Sequence, residues 1–296
     1  MKDTFSNMHP FINFIFFALT IGFTMFIMNP VCLAVSFLCA LVTALYLNGK
    51  KAVRLSLVFL LPMILLIVLI NPVFNHEGMT ILTYFPWDNP LTLESIVYGI
   101  ASAFLLSSTV LWFSSFNAVI TSDKVVFLFG GIMPSLSLVI SMALRFVPRF
   151  SAQMKLVRNA QHTIGRDINE GTLFQRIRNA VKILSIMITW SLENAIETAD
   201  SMKSRGHGLK GRTSYSLYKF DKRDAFMLCT ILFTGLVLMI LLFTNAIKFR
   251  YYPSIKGDLF TVQSIIFYIF YTFLMLIPLS VNIGEGIKWK HMQSKI

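Results

Sequence analysis

The sequence predicts an all-α integral membrane protein, with about six transmembrane helices and a set of long cytoplasmic helices. Three observations predict it. The 296 residues are 55% apolar, with 28 Phe, 15 Met and a mean hydropathy of +0.68. Only 14% are charged, against ~25% in soluble domains. The charge is also unevenly spread: the stretch Asp123 to Asp224 holds 16 of the 26 Lys and Arg residues, and the apolar runs on either side hold none.

Crossing ~30 Å of hydrocarbon takes ~20 mostly apolar residues in a helix. Six runs approach or reach that length: Phe11 to Met28, Val31 to Tyr46, Leu55 to Ile70, Ile96 to Phe116, Ala225 to Ala246 and Phe260 to Ile283. The second and third fall short of it. The first reads as a retained span, because no small-x-small cleavage site precedes Asn29-Pro30. Lys and Arg near membrane ends stay on the cytoplasmic side. With both termini inside, 23 of the 26 cations lie inside, and the outer segments hold only Lys248, Arg250 and Lys256.

Asn29-Pro30 breaks the chain between the first two spans, and Asn48-Gly49-Lys50-Lys51 forms a basic turn after the second. The segment Asn71 to Thr92 reads as an outer loop, with Pro72, Pro86 and Pro90, the acids Glu77 and Asp88, and no Lys or Arg. His76 beside Glu77 supplies too few ligands for a metal site, which leaves a surface loop. Cys32, Cys39 and Cys229 lie in predicted spans without metal-ligand spacing, so packing is their expected role.

From Lys124 to Phe146 an apolar segment is interrupted by Gly130-Gly131 and Met133-Pro134. It reads either as a seventh span or as an interfacial or re-entrant segment. A seventh span would place the cations from Arg145 to Arg223 outside, so the charge bias favours the second reading. Two helices follow. The first, about Arg145 to His162, mixes Arg149, Lys155 and Arg158 with Phe146, Phe150, Met154 and Val157. The second, about Leu173 to Ser204, repeats apolar residues every three or four positions: Leu173, Ile177, Val181, Leu184, Ile188, Leu192, Ile196, Ala199 and Met202. That spacing forms one helix face. Ile183 to Trp190 is apolar nearly all round and calls for a cover.

This second helix would be ~45 Å long. Gly206 suits the position just past a helix end, and Arg205 suits the negative end of the dipole. A basic turn, His207 to Arg212 with Lys210 and Gly211, leads back to the membrane. The expected domains are 1–122 (N-terminal spans), 123–223 (cytoplasmic and interfacial helices) and 224–296 (C-terminal spans).

An arginine at a helix end beside glycine offers a planar fork of donors where backbone approach is easy. It can plug an acidic or carbonyl-lined groove, or merely cap its own helix. Met202-Lys203-Ser204-Arg205-Gly206-His207-Gly208 resembles the second Ala/Ser-Met-x-x-Arg-Gly coupling motif of the transmembrane T component of energy-coupling factor transporters, the vitamin and metal-ion uptake members of the ABC class. Ala143-Leu144-Arg145-Phe146-Val147-Pro148 and Gln175-Arg176-Ile177-Arg178 resemble the openings of that family's two coupling helices. The family's first motif corresponds to Ala160-Gln161-His162-Thr163-Ile164-Gly165-Arg166, where Ile164 stands at the expected arginine and Arg166 follows one place beyond Gly165.

The resemblance implies docking of two cytoplasmic ABC ATPase subunits through Met202, Ser204, Arg205 and Gly206 at one tip and Gly165 and Arg166 at the other. It also implies a membrane S component that selects the substrate, whose contact residues on this chain it leaves unassigned. No cofactor is implied. The unlike tips favour two different ATPases.

The chain has no Gly-x-x-x-x-Gly-Lys-Ser/Thr, so ATP hydrolysis is expected in partners. The alternative reading is a self-sufficient secondary transporter or permease. Such proteins place polar or ionisable groups at the midplane, and these spans carry almost no charge. An enzyme is disfavoured because His9, His76, His162, His207 and His291 are scattered. Nucleic-acid binding is disfavoured too: the lipid bilayer's anionic headgroups and positive-inside topology account for the cations, and no nucleic-acid motif is present.

Overall fold

A computed structural model of the chain describes residues 4–84, 89–166, 171–209, 218–244, 246–257 and 259–293. The expectations for Lys2, Pro86, Asp88, Lys210, Gly211, Arg212 and Lys295 lie outside the described residues. In chain order the helices are α1 (Pro10–Phe26), α2 (Pro30–Asn48), α3 (Lys50–Leu55), a π-helical turn (Ser56–Leu60), α4 (Leu61–Phe74), α5 (Leu93–Val119), α6 (Ser122–Ile132), α7 (Pro134–Thr163), α8 (Leu173–Ser204), α9 (Lys222–Phe243) and α10 (Val262–Gln293). Two antiparallel pairs join β1 (Ile81–Tyr84) to β2 (Pro90–Thr92) and β3 (Phe249–Arg250) to β4 (Lys256–Gly257). The chain divides into two compact units, Met1–Thr121 with Tyr218–Ile296, and Ser122–Leu217.

In the first unit Pro10 and Pro30 sit in the opening turns of α1 and α2, where a missing N–H removes no ladder bond. The Asn29 side chain accepts from the Val31 N–H at 3.0 Å, so the expected break is a cap followed at once by a helix start. The π turn lies just before Pro62, which cannot donate to the α ladder.

Helix α5 packs against α1, α2 and α4. Its buried face is rich in small residues, including Gly99, Ala101, Ala103, Ser107, Ser108 and Ser115, which let helices approach closely. Phe5, Phe16, Phe17 and Trp112 meet edge-on around it, Phe16 and Phe17 at 5.2 Å. Beside them the Ser36 hydroxyl bonds Thr24 Oγ1 at 2.9 Å and accepts from Trp112 Nε1 at 3.1 Å. Polar groups away from water need such partners. At one end of the bundle Asn282 Oδ1 accepts from the Phe5 N–H at 3.0 Å, and Arg223 pairs with Glu285 at 2.7 Å.

Helices occupy all six predicted runs. The third does not stop short: it runs from Lys50 to Phe74 as α3, the π turn and α4, and α10 extends past Ile283 to Gln293. Among the described residues, six helices are long and apolar enough to cross a bilayer: Pro30–Asn48, Lys50–Phe74, Leu93–Val119, Ser135–Thr163, Lys222–Phe243 and Val262–Gln293. The 17 residues of Pro10–Phe26 stand at the ~17-residue lower end for spanning. The loop expected over Asn71 to Thr92 contains the end of α4 and the β1–β2 pair. His76 Nδ1 lies 3.3 Å from the Pro90 carbonyl, and the described residues contain no metal-binding cluster of three or more His, Cys, Asp or Glu. Cys32 and Cys39 are buried as expected, but Cys229 is exposed, so packing within this chain does not explain it.

The second unit corrects the reading of Lys124 to Phe146 as one segment. Met133 separates α6 from α7, and Ser137 Oγ on α7 donates to the Val126 carbonyl on α6 at 2.9 Å. Gly130 makes room: a Cβ there would lie 3.1 Å from Ser137 Oγ. With 11 residues, ~16 Å, α6 is too short to span. The rest of the segment opens α7, which begins at Pro134 instead of Arg145 and continues through Pro148. Helix α8 has the predicted limits. Its start is fixed by a capping box, in which Gln175 Oε1 accepts from the Thr172 N–H at 3.1 Å.

Two matched helix tips as the candidate functional site

Helices α7 and α8 meet through aromatic rings. Trp190 stacks on Phe146 at 5.7 Å and lies 6.4 Å from Phe150, while the Arg149 guanidinium sits over the indole at 5.9 Å. That geometry combines ring packing with a cation–π contact. From Arg149 to Gly165, and from Trp190 to Gly206, the chain runs the same distance, about 16 residues or ~24 Å of helix. Both helices therefore end equally far beyond their contact.

The ends share one backbone design. At α8, Arg205 is the C-cap and Gly206 follows with φ +78°. The Gly206 N–H donates to the Lys203 carbonyl at 2.9 Å and the His207 N–H to the Met202 carbonyl at 3.0 Å. At α7, Ile164 is the C-cap and Gly165 follows with φ +69°. The Gly165 N–H donates to the His162 carbonyl and the Arg166 N–H to the Gln161 carbonyl, both at 2.9 Å. These are two Schellman caps in the same register. Glycine is required in both because the left-handed conformation crowds any Cβ.

The register assigns equivalents. Ile164 corresponds to Arg205, Gly165 to Gly206, and Arg166 to His207. Arg166 is thus not the counterpart of Arg205; it leaves the cap one residue later. Arg205, Gly165, Arg166 and Ser204 are exposed, while Met202 and Gly206 are half-buried. Ile164, 64% exposed, stands at the place the motif comparison gave it, although it was not among the expected docking residues.

Along its length, α8 does not cover the face that its periodicity picks out. Ile183, Met187 and Asn194 are buried, and they share a face with half-buried Trp190. The predicted stripe from Leu173 through Ile177, Val181, Leu184, Ile188 and Leu192 to Ile196 is 52 to 75% exposed. Only one side of the Ile183 to Trp190 stretch is covered.

A family model described as CbiQ, cobalt transport protein, matches residues 2–215. The chain belongs to the CbiQ family. It is a multi-pass membrane protein of a group of transporter membrane components, and it resembles proteins named energy-coupling factor transporter transmembrane protein EcfT. The one from Lactobacillus helveticus is 41% identical over 106 residues, 35% of this chain and 38% of the relative. The one from Lactococcus lactis subsp. cremoris is 33% identical over 106 residues, 36% of this chain and 40% of the relative. The one from Exiguobacterium sibiricum is 26% identical over 208 residues, 66% of this chain and 78% of the relative. The chain spans about two fifths of the length of the first two.

Proposed function

We propose that the chain is the T component of an energy-coupling factor importer, transmitting ATP-driven motion of two cytoplasmic ABC ATPase subunits to a membrane S component that takes up a vitamin or metal ion. The observation that carries this reading is the pair of matched caps, ending two long helices equally far from one contact inside the basic unit. A Schellman cap exposes a fixed C-cap side chain beside a glycine that allows close backbone approach. Arg205 offers a planar donor fork to an acidic or carbonyl-lined socket. Ile164, in the same place on the other helix, suits an apolar socket, which favours two unlike ATPases. The exposed stripe on α8 is an apolar surface of the kind a membrane partner covers, and it suits the S component. Both termini and the tips lie on the cytoplasmic side in this scheme.

Affinity capture of the tagged chain from native membranes tests the proposal. Wild type should recover ABC ATPases, and Arg205→Glu should lose them while inserting normally. Arg166→Ala should have the milder effect. Recovery of no ATPase, from membranes holding intact importers of the same class, would shift the reading to a self-sufficient transporter.

A further inference from the structure

Three consecutive residues of the hairpin between α9 and α10 each hold a different residue of the membrane unit. Tyr251, 5% exposed, follows β3, and its hydroxyl donates to the Met28 carbonyl in the α1–α2 turn at 2.8 Å. The Tyr252 hydroxyl accepts from the side chain of Asn75, the C-cap of α4, at 2.8 Å. The Pro253 carbonyl accepts from the Met79 N–H, between α4 and α5, at 3.1 Å. Both tyrosine rings also lie against Tyr98 of α5, at 5.6 and 5.1 Å, in the edge-on and tilted geometries that aromatic pairs favour.

The feet of the hairpin are pinned as well. Ser264 Oγ, near the start of α10, donates to the Ala246 carbonyl just past α9 at 2.8 Å, and the Tyr268 hydroxyl donates to Asn29 Oδ1 at 3.2 Å. So are the places where it lands. The Thr80 N–H donates to the buried Glu94 carboxylate at 3.3 Å, the Leu93 N–H to the Thr80 carbonyl at 3.0 Å, and the Thr92 hydroxyl to the Glu77 carbonyl at 2.9 Å. Gly78 has φ +148°, and a Cβ there would lie 2.6 Å from Glu94 Oε2 and 2.8 Å from Thr92 Cβ. Glycine is what lets the run from Glu77 to Thr80 settle on the start of α5. A pull on the hairpin therefore reaches α1, α2, α4 and α5 together.

At the opposite end of the bundle the anchors are separate pairs. The Asn48 side chain donates to the Ser114 carbonyl at 3.3 Å, joining α2 to α5, and the Phe5 N–H donates to Asn282 of α10. Arg223 and Glu285 join α9 to α10 with side chains 49% and 28% exposed, where an ion pair contributes little.

We propose that residues 249–257 form a strap that holds the α1–α2 turn, the end of α4 and the start of α5 as one rigid plate, so that the helices of the membrane unit spread apart only at the end carrying Phe5 and Asn282. The strap involves neither the tips nor an ATPase, so it stands apart from the proposed function.

The test is pulsed electron spin resonance of the full-length protein in lipid nanodiscs, in a Cys229→Ser background that removes the exposed thiol. Spin labels at Phe26→Cys and Phe74→Cys, both exposed at the strapped end, should give a narrow distance distribution, and labels at Lys51→Cys and Phe226→Cys, exposed at the opposite end, a wider one. Joint Tyr251→Phe and Tyr252→Phe substitution keeps the rings and removes two hydroxyl bonds. It should widen the first distribution, and hydrogen exchange at the Met79 amide should accelerate about 10- to 100-fold. Gly78→Ala loosens the landing place without touching the strap and should widen the same distribution. Monodisperse elution shows that each variant folds, and Tyr252→Phe alone serves if the joint variant does not. Equal widths at the two ends of the wild type, or an unwidened first distribution in either the folded tyrosine variant or Gly78→Ala, would overturn the proposal. Exchange that accelerates only within 249–257 would overturn it in favour of a hairpin that stabilises itself alone.

Discussion

Replacing Gly206 with alanine isolates the role of the α8 cap. The residue sits at φ +78°, and an added Cβ would lie 3.1 Å from Leu209 Cδ1, the end of a flexible side chain that can move aside. The penalty is therefore mainly conformational, about 1 to 2 kcal/mol for an L-residue in the left-handed region. That reduces the population of the capped tip relative to the frayed one by about 5- to 30-fold. The amides at 206 and 207 report it directly, because each is held by one cap bond, to Lys203 and Met202. Hydrogen exchange resolved at these amides should accelerate by about the same factor. Gly206→Asn should fall between the two, since asparagine visits this conformation more readily. Gly165→Ala should do the same at 165 and 166, and with no neighbour within 4 Å its effect is conformational alone. Unchanged exchange in both alanine variants would refute the reasoning that left-handed glycine holds the tips.

Further outcomes can be checked separately. Trp190→Ala removes two ring contacts and the Arg149 contact, and should destabilise the unit over 122–217 by roughly 2 to 3 kcal/mol, read as faster limited proteolysis between α7 and α8. Ser36→Ala deprives both Thr24 and Trp112 of a partner and should lower the stability of the purified protein by about 1 to 2 kcal/mol, measured as a drop in Tm. Ser204→Cys should react with an impermeant thiol reagent only from the cytoplasmic side, and labelling from outside would reverse the proposed orientation.

Most of the architecture was legible because apolar length and helical period are properties of the sequence itself. The six runs became helices, and α8 ended where Gly206 said it would. The hairpin of α6 and α7 was not legible, because Gly130-Gly131 and Met133-Pro134 look alike as interruptions, whereas only Met133 separates the helices and Gly130 serves their close packing. Composition hid the start of α7 as well: its first turns are apolar and its later ones cationic, so one helix read as two segments. On α8 the spacing identified an apolar face, but the covered face is the one carrying Trp190, since large rings decide where two helices meet. At the tips the motif comparison already put Ile164 in the arginine's place and the hydrogen-bond register gives the same correspondence, so Arg166, to which reading for charge pointed as a docking residue, leaves the cap one residue later.

Pro148 lies inside α7, next to the Arg149 and Phe146 contact with Trp190, whereas α8 contains neither proline nor glycine from Leu173 to Ser204. Both contacts fall near the middle of their helices, so under the proposed function each helix would act as a lever of unit mechanical advantage, moving its far end as far as its tip and gaining no stroke. The two levers differ in compliance. In α7 the proline removes a ladder bond at the fulcrum, and under the proposed function force applied at the Gly165 end would partly be spent on bending there. Helix α8 has no such joint, so in the proposed coupling it would be the stiffer arm of the pair, carrying a push at Gly206 toward Leu173 with less bending.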